Sequence, residues 1–246
     1  MASFLQIVAS ERLKLFKSAI WLLIPISPLL AGIIGIFVSF DNVQPAERYP
    51  VLLGAMSIFH ALMLLPLLTG ILSAFVCRYE HGGGGWKQLL TLPVSRTGLY
   101  AAKLLIVALS LAATQLLFLA AIIAVSAYHG IASDIPWRML LAAVGGGWLA
   151  CLPLAALQLS VSTLWSSFAA PLVINVMLTL PNLLIINSKQ FAPYYPWAQP
   201  ALAMVHSIST EFGAFALPLN SLLITVLGSF AVFLAAGLIY FNRKEL

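Results

Sequence analysis

The chain has 246 residues, of which 62% are hydrophobic and only 8% are charged. This composition leaves too little polar surface for a soluble globular protein and indicates an integral membrane protein. The net charge of +5 does not call for a nucleic-acid partner, because basic membrane-flanking loops beside anionic lipid headgroups account for it. We therefore expect membrane lipid, and no nucleic acid, as a partner.

Uncharged apolar runs predict six transmembrane helices, because each is long enough for the roughly 20 residues that cross a hydrocarbon core. The runs lie at about 19–40, 51–76, 104–127, 139–164, 168–187 and 221–241. They are continuously apolar, whereas membrane β-barrels show short alternating segments. No internal repeat is evident. The sequence thus predicts an all-α membrane protein in which residues 1–246 form one transmembrane domain.

The basic residues predict the orientation of the chain, because cytoplasmic loops carry an excess of Lys and Arg. All 19 Asp, Glu, Lys and Arg residues fall outside the six runs. With the N-terminus inside, nine basic residues are cytoplasmic and three lie outside. The cytoplasmic ones are Arg12, Lys14, Lys17, Arg78, Lys87, Arg96, Lys103, Arg243 and Lys244, and the outer ones are Arg48, Arg138 and Lys189. Both termini are therefore predicted to be cytoplasmic.

The first 18 residues do not have the layout of a cleavable signal, because their charges come late and the apolar run that follows has the length of a full span. They predict a helix lying in the membrane interface, with an apolar and a polar side. The apolar side contains Phe4, Leu5, Val8, Leu15 and Phe16, and the polar side contains Gln6, Ser10, Lys14 and Lys17. Arg12 falls on the apolar side and would have to reach toward the headgroups.

The segment Ser188 to Asn220 is too short to cross the bilayer twice, and it contains four prolines and several aromatic residues. It predicts either a re-entrant or interfacial helical segment on the outer face, or a structured outer cap without a transport role. In the first interpretation Tyr194, Tyr195 and Trp197 lie at the level of the headgroups.

The predicted spans carry few groups that could perform chemistry. They contain no carboxylate, and His60 is their only histidine, so neither a catalytic residue nor a metal site is predicted. We interpret His60 as a hydrogen-bonded packing residue. The intramembrane amides either line a substrate path or join helices by hydrogen bonds, and the second interpretation is favoured. These amides are Gln115, Gln158, Asn175 and Asn182.

The long polar segment from Cys77 to Gly98 is the principal candidate for contact with another protein. Its glycine run, Gly82 to Gly85, is not a phosphate-binding loop, because Trp86 precedes Lys87 and Gln88 follows it. No ATP site is therefore predicted in the chain. The sequence WKQLLTL, Trp86 to Leu92, predicts a short amphipathic helix that lies either on lipid or in a groove of a partner protein.

The sequence YEHGGGGWKQLLTLPVSRTGLYAAKLL resembles the first cytoplasmic loop of ABC-2 type transporter permeases. In that family an acidic residue is followed by a glycine, a short WK-x-LL helix and a P-x-S-R segment that leads into the third span. The segment ERLKLFKS is similar to the family's interfacial connecting helix, and PYYPWAQP lies where the family has outer re-entrant helices. The branch that the chain resembles most is the permeases of lantibiotic-immunity and bacitracin-resistance type exporters.

The resemblance implies that the short helix is a coupling helix, which inserts into a cleft of a separate ATPase subunit. The residues assigned to this contact are Glu80, Trp86, Lys87, Gln88, Leu89 and Leu90. It further implies that ATP and Mg are bound by a cytoplasmic ABC ATPase dimer, that this chain holds no cofactor, and that a second permease, identical or related, completes the transporter. Many relatives have two acidic residues around the tyrosine, where this chain has Arg78 and Glu80.

Taken with the resemblance, the sequence predicts the permease subunit of a bacterial ABC exporter in the cytoplasmic membrane, and not an enzyme. The implied substrate is hydrophobic or amphipathic, and a peptide antibiotic, with a role in immunity or resistance, fits the branch. Two other classes stay open. One is a scaffold or sensor component without transport activity, and the other is an ATP-independent carrier.

Overall fold

The computed structural model describes residues 3–81, 85–86, 88, 94–165, 167–206, 208 and 218–243. Every regular element in these ranges is a helix, as the sequence predicted. Five helical segments within these described ranges are long and apolar enough to cross a membrane. We name them span I (Ala19–Ile36), span II (Pro45–Val76), span III (Arg96–Tyr128), span IV (Trp137–Leu164) and span V (Leu219–Arg243). The chain is therefore a multi-pass membrane protein.

Shorter helices flank or interrupt these spans. The N-terminal helix is Phe4–Phe16, and Arg78–His81 forms one turn directly after span II. A 3₁₀ turn, Ala192–Tyr194, precedes a helix that we call the loop helix, Gln199–His206. Span I begins with the 3₁₀ segment Ala19–Leu23 before its α-helix Ile26–Ile36. Span II consists of Pro45–Glu47, Arg48–Phe59, the π-helical segment His60–Leu64, and Leu65–Val76.

The prediction of six spans is not confirmed, because the apolar run at 168–187 is broken into two short helices. It forms the helices Ala169–Thr179 and Asn182–Ile185, joined by a turn at Leu180 and Pro181. Proline has no backbone N–H to continue the first helix, which explains the break at this point. We call Ala169–Ile185 the broken helix. At 1.5 Å per residue it is about 25 Å long, less than the ~30 Å hydrocarbon core.

Span IV lies at the centre of the helix bundle and packs against spans II, III and V and against the loop helix. Its residues Leu154, Ala155 and Leu159 are fully buried. Spans I and V have much more exposed apolar surface, including Leu29 at 63% and Ile224 at 73%. In a membrane this surface faces lipid or another subunit, because neither contact requires polar groups.

The N-terminal helix begins with a capping box, in which Ser3 and Gln6 satisfy each other's backbone N–H groups. It buries Ile7, Glu11 and Leu15 against the bundle and leaves Leu5 and Leu13 exposed. The predicted polar side is exposed at Gln6, Ser10 and Lys17 but not at Lys14, and the position of the helix in the membrane interface stays a prediction. Leu5 faces outward, and Lys14, from the predicted polar side, is directed into ion pairs with the bundle.

The loop helix is buried within the bundle. Trp197, which precedes it, is only 4% exposed, whereas Tyr194 is 74% exposed; the position of these residues at the level of the headgroups stays a prediction. The helix approaches span IV closely at Gly147, where an added Cβ would lie 2.4 Å from Met204 Cγ. Gly147 thus serves close helix packing, whereas an added Cβ at Gly145 would meet nothing within 4 Å in the described chain.

Candidate functional site

Four charged side chains form a closed set of ion pairs where span II ends and span III begins. Lys103 Nζ lies 2.9 Å from Glu11 Oε2 and 2.9 Å from Glu80 Oε1. Lys14 Nζ lies 2.7 Å from Glu11 Oε1 and 2.6 Å from Glu80 Oε1. Each charge therefore contacts both charges of opposite sign, and the formal charges sum to zero. We call Glu11, Lys14, Glu80 and Lys103 the charge ring.

The charge ring joins three segments that are far apart in sequence. Glu11 and Lys14 lie three residues apart on the N-terminal helix and so share one side of it. Glu80 comes from the turn Arg78–His81, and Lys103 comes from the second turn of span III. Lys103 also donates to the backbone oxygen of Val76, one of the last carbonyls of span II. We call the segment from Cys77 to Gly98 the polar loop. The charge ring therefore connects the N-terminal helix and the start of the polar loop to spans II and III.

Burial makes the balance of charge important. The side chains of Glu11 and Lys103 are 1% exposed and that of Glu80 is 4% exposed, while Lys14 is 29% exposed. Burial alone would raise the pKa of the Glu80 carboxyl, but Lys103 and Lys14 together lower this pKa below its ordinary value of 4.5. Glu80 is therefore ionised at neutral pH. Losing one lysine would leave a buried carboxylate with too little compensation.

The sequence-based interpretation did not find the charge ring. It treated Lys14 and Lys103 as charges of the membrane-flanking regions, whereas Lys103 lies within the helix of span III and is buried. The spacing of Glu11 and Lys14 was a usable signal for a pair on one side of a helix. The partners across the bundle could not be deduced, because nothing in the sequence indicates that residues 11, 80 and 103 meet.

Glu80 was predicted to contact the ATPase, and the structure places it inside this chain. Its Oε1 accepts hydrogen bonds from both ring lysines. Its Oε2 is buried and accepts no hydrogen bond from the residues that the structure describes. The contact with a second subunit stays a prediction.

Trp86 also lies in an intramolecular contact, and it is 8% exposed. Its Nε1 donates to His81 Nδ1 at 3.2 Å, so His81 Nε2 carries the proton and donates to the Ser162 backbone oxygen at 2.9 Å. The Trp86 ring packs edge-on against Phe241 at 5.5 Å between centroids. Trp86 thereby connects the start of the predicted coupling helix to the ends of spans IV and V. Its role as an anchor on the ATPase stays a prediction.

The rest of the predicted coupling helix is described only in part. Gly85, Trp86 and Gln88 are helical, and Gln88 is exposed. Lys87, Leu89 and Leu90, together with positions 91 and 92, lie outside the described residues. Arg78, which departs from the family pattern, is positioned over the rings of Phe75 and Phe168 at 5.6 and 5.7 Å. It thus contacts the start of the broken helix through cation–π interactions.

A chain of polar contacts crosses the bundle near the middle of span II. Ser27 Oγ lies 2.6 Å from His60 Nδ1, and His60 Nε2 lies 3.2 Å from Gln115 Oε1. Gln115 Nε2 in turn donates to the sulfur of Met204 at 3.4 Å. The His60 ring stacks on Phe118 at 4.2 Å. His60 is therefore the hydrogen-bonded packing residue that the sequence predicted, and Gln115 joins span III to the loop helix.

The two asparagines of the broken helix, Asn175 and Asn182, form hydrogen bonds with span II and with the segment just before the loop helix. Pro66 has no N–H to donate to the Leu62 carbonyl four residues earlier, and Asn182 Nδ2 donates to that oxygen at 2.8 Å. Asn175 Nδ2 donates to the Pro66 carbonyl at 3.1 Å, and its Oδ1 accepts from Trp197 Nε1 at 2.9 Å. These amides therefore donate to backbone oxygens of span II on either side of its π-helical to α-helical junction.

Gln158 differs from the other predicted amides. It is fully buried in span IV, and neither atom of its side-chain amide has a hydrogen-bond partner among the described residues. The structure therefore assigns Gln115, Asn175 and Asn182 to links between helices and leaves Gln158 without a link in the described part of the chain. A substrate path along these residues stays a prediction.

These features define a class of protein: a polytopic helical membrane protein whose polar loop is tied to its spans. The comparison with protein families identifies the family. The model for the ABC-2 family transporter protein matches residues 7–182, well over half of the chain. The chain belongs to the ABC-2 transporter family. Membership implies a membrane-spanning component, generally not catalytic itself, that works with an ATPase partner. Among curated proteins, none matches the chain.

Proposed function

We propose that this chain is the permease subunit of a bacterial ABC exporter and that its polar loop receives the motion of a cytoplasmic ATPase dimer. ATP and Mg are bound by that dimer and not by this chain. A second permease, identical or related, completes the transporter. The substrate is hydrophobic or amphipathic, and a peptide antibiotic is the candidate that we favour.

The observation that carries this proposal is the attachment of the loop to the spans at both of its described ends. At residues 80 and 86 the loop is held by the charge ring and by the contacts of Trp86. At its other end Arg96 Nη1 donates to the Asn242 backbone oxygen of span V at 2.9 Å. A force applied to the loop by a partner would therefore act on spans II to V, which is what coupling requires.

The distribution of charge supports an orientation with the charge ring at the cytoplasmic end. Exposed basic residues lie at the same end of the spans as the ring, namely Arg12, Lys17, Arg78 and Arg243. This arrangement follows the rule that basic flanking residues stay on the cytoplasmic side. The broken helix crosses in this topology as a short sixth segment, which keeps both termini in the cytoplasm. The membrane thins or the helix ends are solvated to accommodate its length.

Transport in vesicles tests this function against its two rivals. The complex purified with its co-expressed ATPase is reconstituted, and movement of a fluorescent amphipathic cationic peptide and of a fluorescent phospholipid is measured with and without ATP. We expect movement of at least one probe only with ATP. Movement at the same rate without nucleotide indicates an ATP-independent carrier. Failure to co-purify with any ATPase, with no movement of either probe, favours a scaffold or sensor.

A further inference from the structure

A small polar cavity lies at the end of the spans opposite the charge ring. Its volume is about 140 Å³, and it opens between the segment that starts span II and the segment that follows span III. The residues that carry its chemistry are Arg48, Tyr49, Ser133 and Asp134. None of them takes part in the interactions proposed above for coupling, so the cavity is a separate feature of the molecule.

The shape of the cavity depends on how span III ends. The N–H groups of Ile131 and Gly130 donate to the backbone oxygens of Ser126 and Ala127, at 2.9 and 3.1 Å, which is the Schellman arrangement. Gly130 has a φ of +68°, a conformation that other residues rarely adopt. This turn directs the chain back along the end of the bundle, so that Ser133 and Asp134 line the cavity across from span II.

Two hydrogen-bond donors in the cavity are buried and lack a partner in the described part of the chain. They are Arg48 Nε and the hydroxyl of Tyr49, a residue that is only 7% exposed. Arg48 also makes no ion pair within 4.0 Å with any described residue. Buried donors are nearly always satisfied, so a missing acceptor is expected here. An arginine beside a tyrosine hydroxyl is suited to the oxygens of a phosphate or carboxylate group.

The carboxylate of Asp134 restricts the chemistry of this acceptor. A purely anionic ligand would be repelled by Asp134, which lines the same cavity. A ligand that carries an ammonium group next to its phosphate would satisfy both sides. The depth of the cavity along the spans also matches the headgroup region, because it lies at the very ends of spans II and III.

We propose that this cavity binds a phosphoethanolamine group. Its phosphate oxygens accept hydrogen bonds from Arg48 and Tyr49, and its ammonium group pairs with Asp134. The group is supplied either by a phosphatidylethanolamine headgroup or by a soluble phosphoethanolamine. The proposal does not depend on the ATPase or on the direction of transport.

Binding to the purified full-length chain tests the proposal, with stabilisation against heat and native mass spectrometry as the two readouts. The probes are short-chain phosphatidylethanolamine, soluble phosphoethanolamine, short-chain phosphatidylglycerol and inorganic phosphate. We expect both ethanolamine probes to bind, and Arg48→Gln and Tyr49→Phe each to weaken their affinity by about tenfold. Preference for the lipid over the soluble probe identifies a headgroup as the source, and equal affinity identifies the soluble group.

Asp134→Asn separates a zwitterionic ligand from a plain anion. It should weaken binding of the ethanolamine probes and strengthen binding of phosphatidylglycerol and phosphate. Arg138→Gln is the matched control, because Arg138 is exposed and its loss removes the same charge from the same end of the molecule. The proposal is overturned if no ethanolamine probe binds, if Arg138→Gln weakens binding as much as Arg48→Gln, or if phosphate binds equally well and Asp134→Asn has no effect.

Discussion

Replacing Lys103 by methionine tests the energetics of the charge ring. The change keeps a long apolar side chain but removes a cation that is 1% exposed and contacts both Glu11 and Glu80. Two buried carboxylates would then share Lys14 alone, which is partly exposed. Breaking a buried ion pair on one side typically costs about 3–5 kcal/mol. We expect a loss of free energy of unfolding of about this size in Lys103→Met.

A second variant shows whether the loss comes from charge. Combining Lys103→Met with Glu11→Gln makes the remaining ring neutral, so the double variant should be more stable than the sum of the two single changes by about 1–3 kcal/mol. Lys17→Met is the control, because Lys17 is exposed on the same N-terminal segment and its loss should cost within about 0.5 kcal/mol. Unfolding in mixed micelles, followed by tryptophan fluorescence, measures all four. Equal stability of Lys103→Met and Lys17→Met would refute the reasoning.

Three further predictions concern other parts of the bundle. Asn182→Ala should lower the free energy of unfolding by about 1–3 kcal/mol, because the Leu62 carbonyl loses its donor. Adding Pro66→Ala to this variant should recover part of the loss, because alanine restores a backbone N–H, and unfolding midpoints measure both effects. Gly147→Ala should destabilise the chain by about 1–3 kcal/mol through overpacking. Gly145→Ala is the control and should have no such effect, because an added Cβ there meets nothing within 4 Å in the described chain. Equal unfolding midpoints for the two variants would contradict the close approach of the loop helix at Gly147. The lowered pKa of Glu80 means that its ionised form stabilises the fold above pH 4.5 and that this contribution is lost as the pH falls further. The difference in thermal stability between the wild type and Glu80→Gln should therefore shrink from about pH 7 to about pH 3, and a constant difference would show that the charge of Glu80 is unimportant.

Hydropathy and local spacing predicted the parts of the fold that depend on short stretches of sequence. Five of the long apolar runs correspond to spans in the described chain, because a bilayer requires about 20 apolar residues per helix. The run at 168–187 was apolar enough for a span, but two features favour a break. Pro181 cannot continue the first helix, and Asn175 and Asn182 both donate to backbone oxygens of span II. Average hydropathy does not record such pairings.

The candidate site was less predictable because its contacts join distant segments. Glu80 and Trp86 were assigned through the family resemblance, as contacts of an ATPase, and that role stays a prediction. Their contacts within the chain are with distant residues on other helices: Lys103 lies 23 positions from Glu80, and Phe241 of span V packs on Trp86. Periodicity on the N-terminal helix assigned Lys14 to a polar face, and it could not reveal that Lys14 pairs with Glu80 while the other residues of that face are exposed.

The central claim is that the polar loop contacts the ATPase, and proximity of the two chains measures this directly. Gln88→Cys places a thiol at an exposed position of the polar loop. The natural cysteines, Cys77 and Cys151, are buried and should not react. Ser39→Cys is the control, because it places a thiol at an exposed position at the opposite end of the bundle. The complex, with its co-expressed ATPase, is treated with a short thiol-to-amine cross-linker. The account predicts a permease–ATPase product from Gln88→Cys and none from Ser39→Cys. A product from neither variant in a complex that still co-purifies, or an equal yield from both, would contradict it.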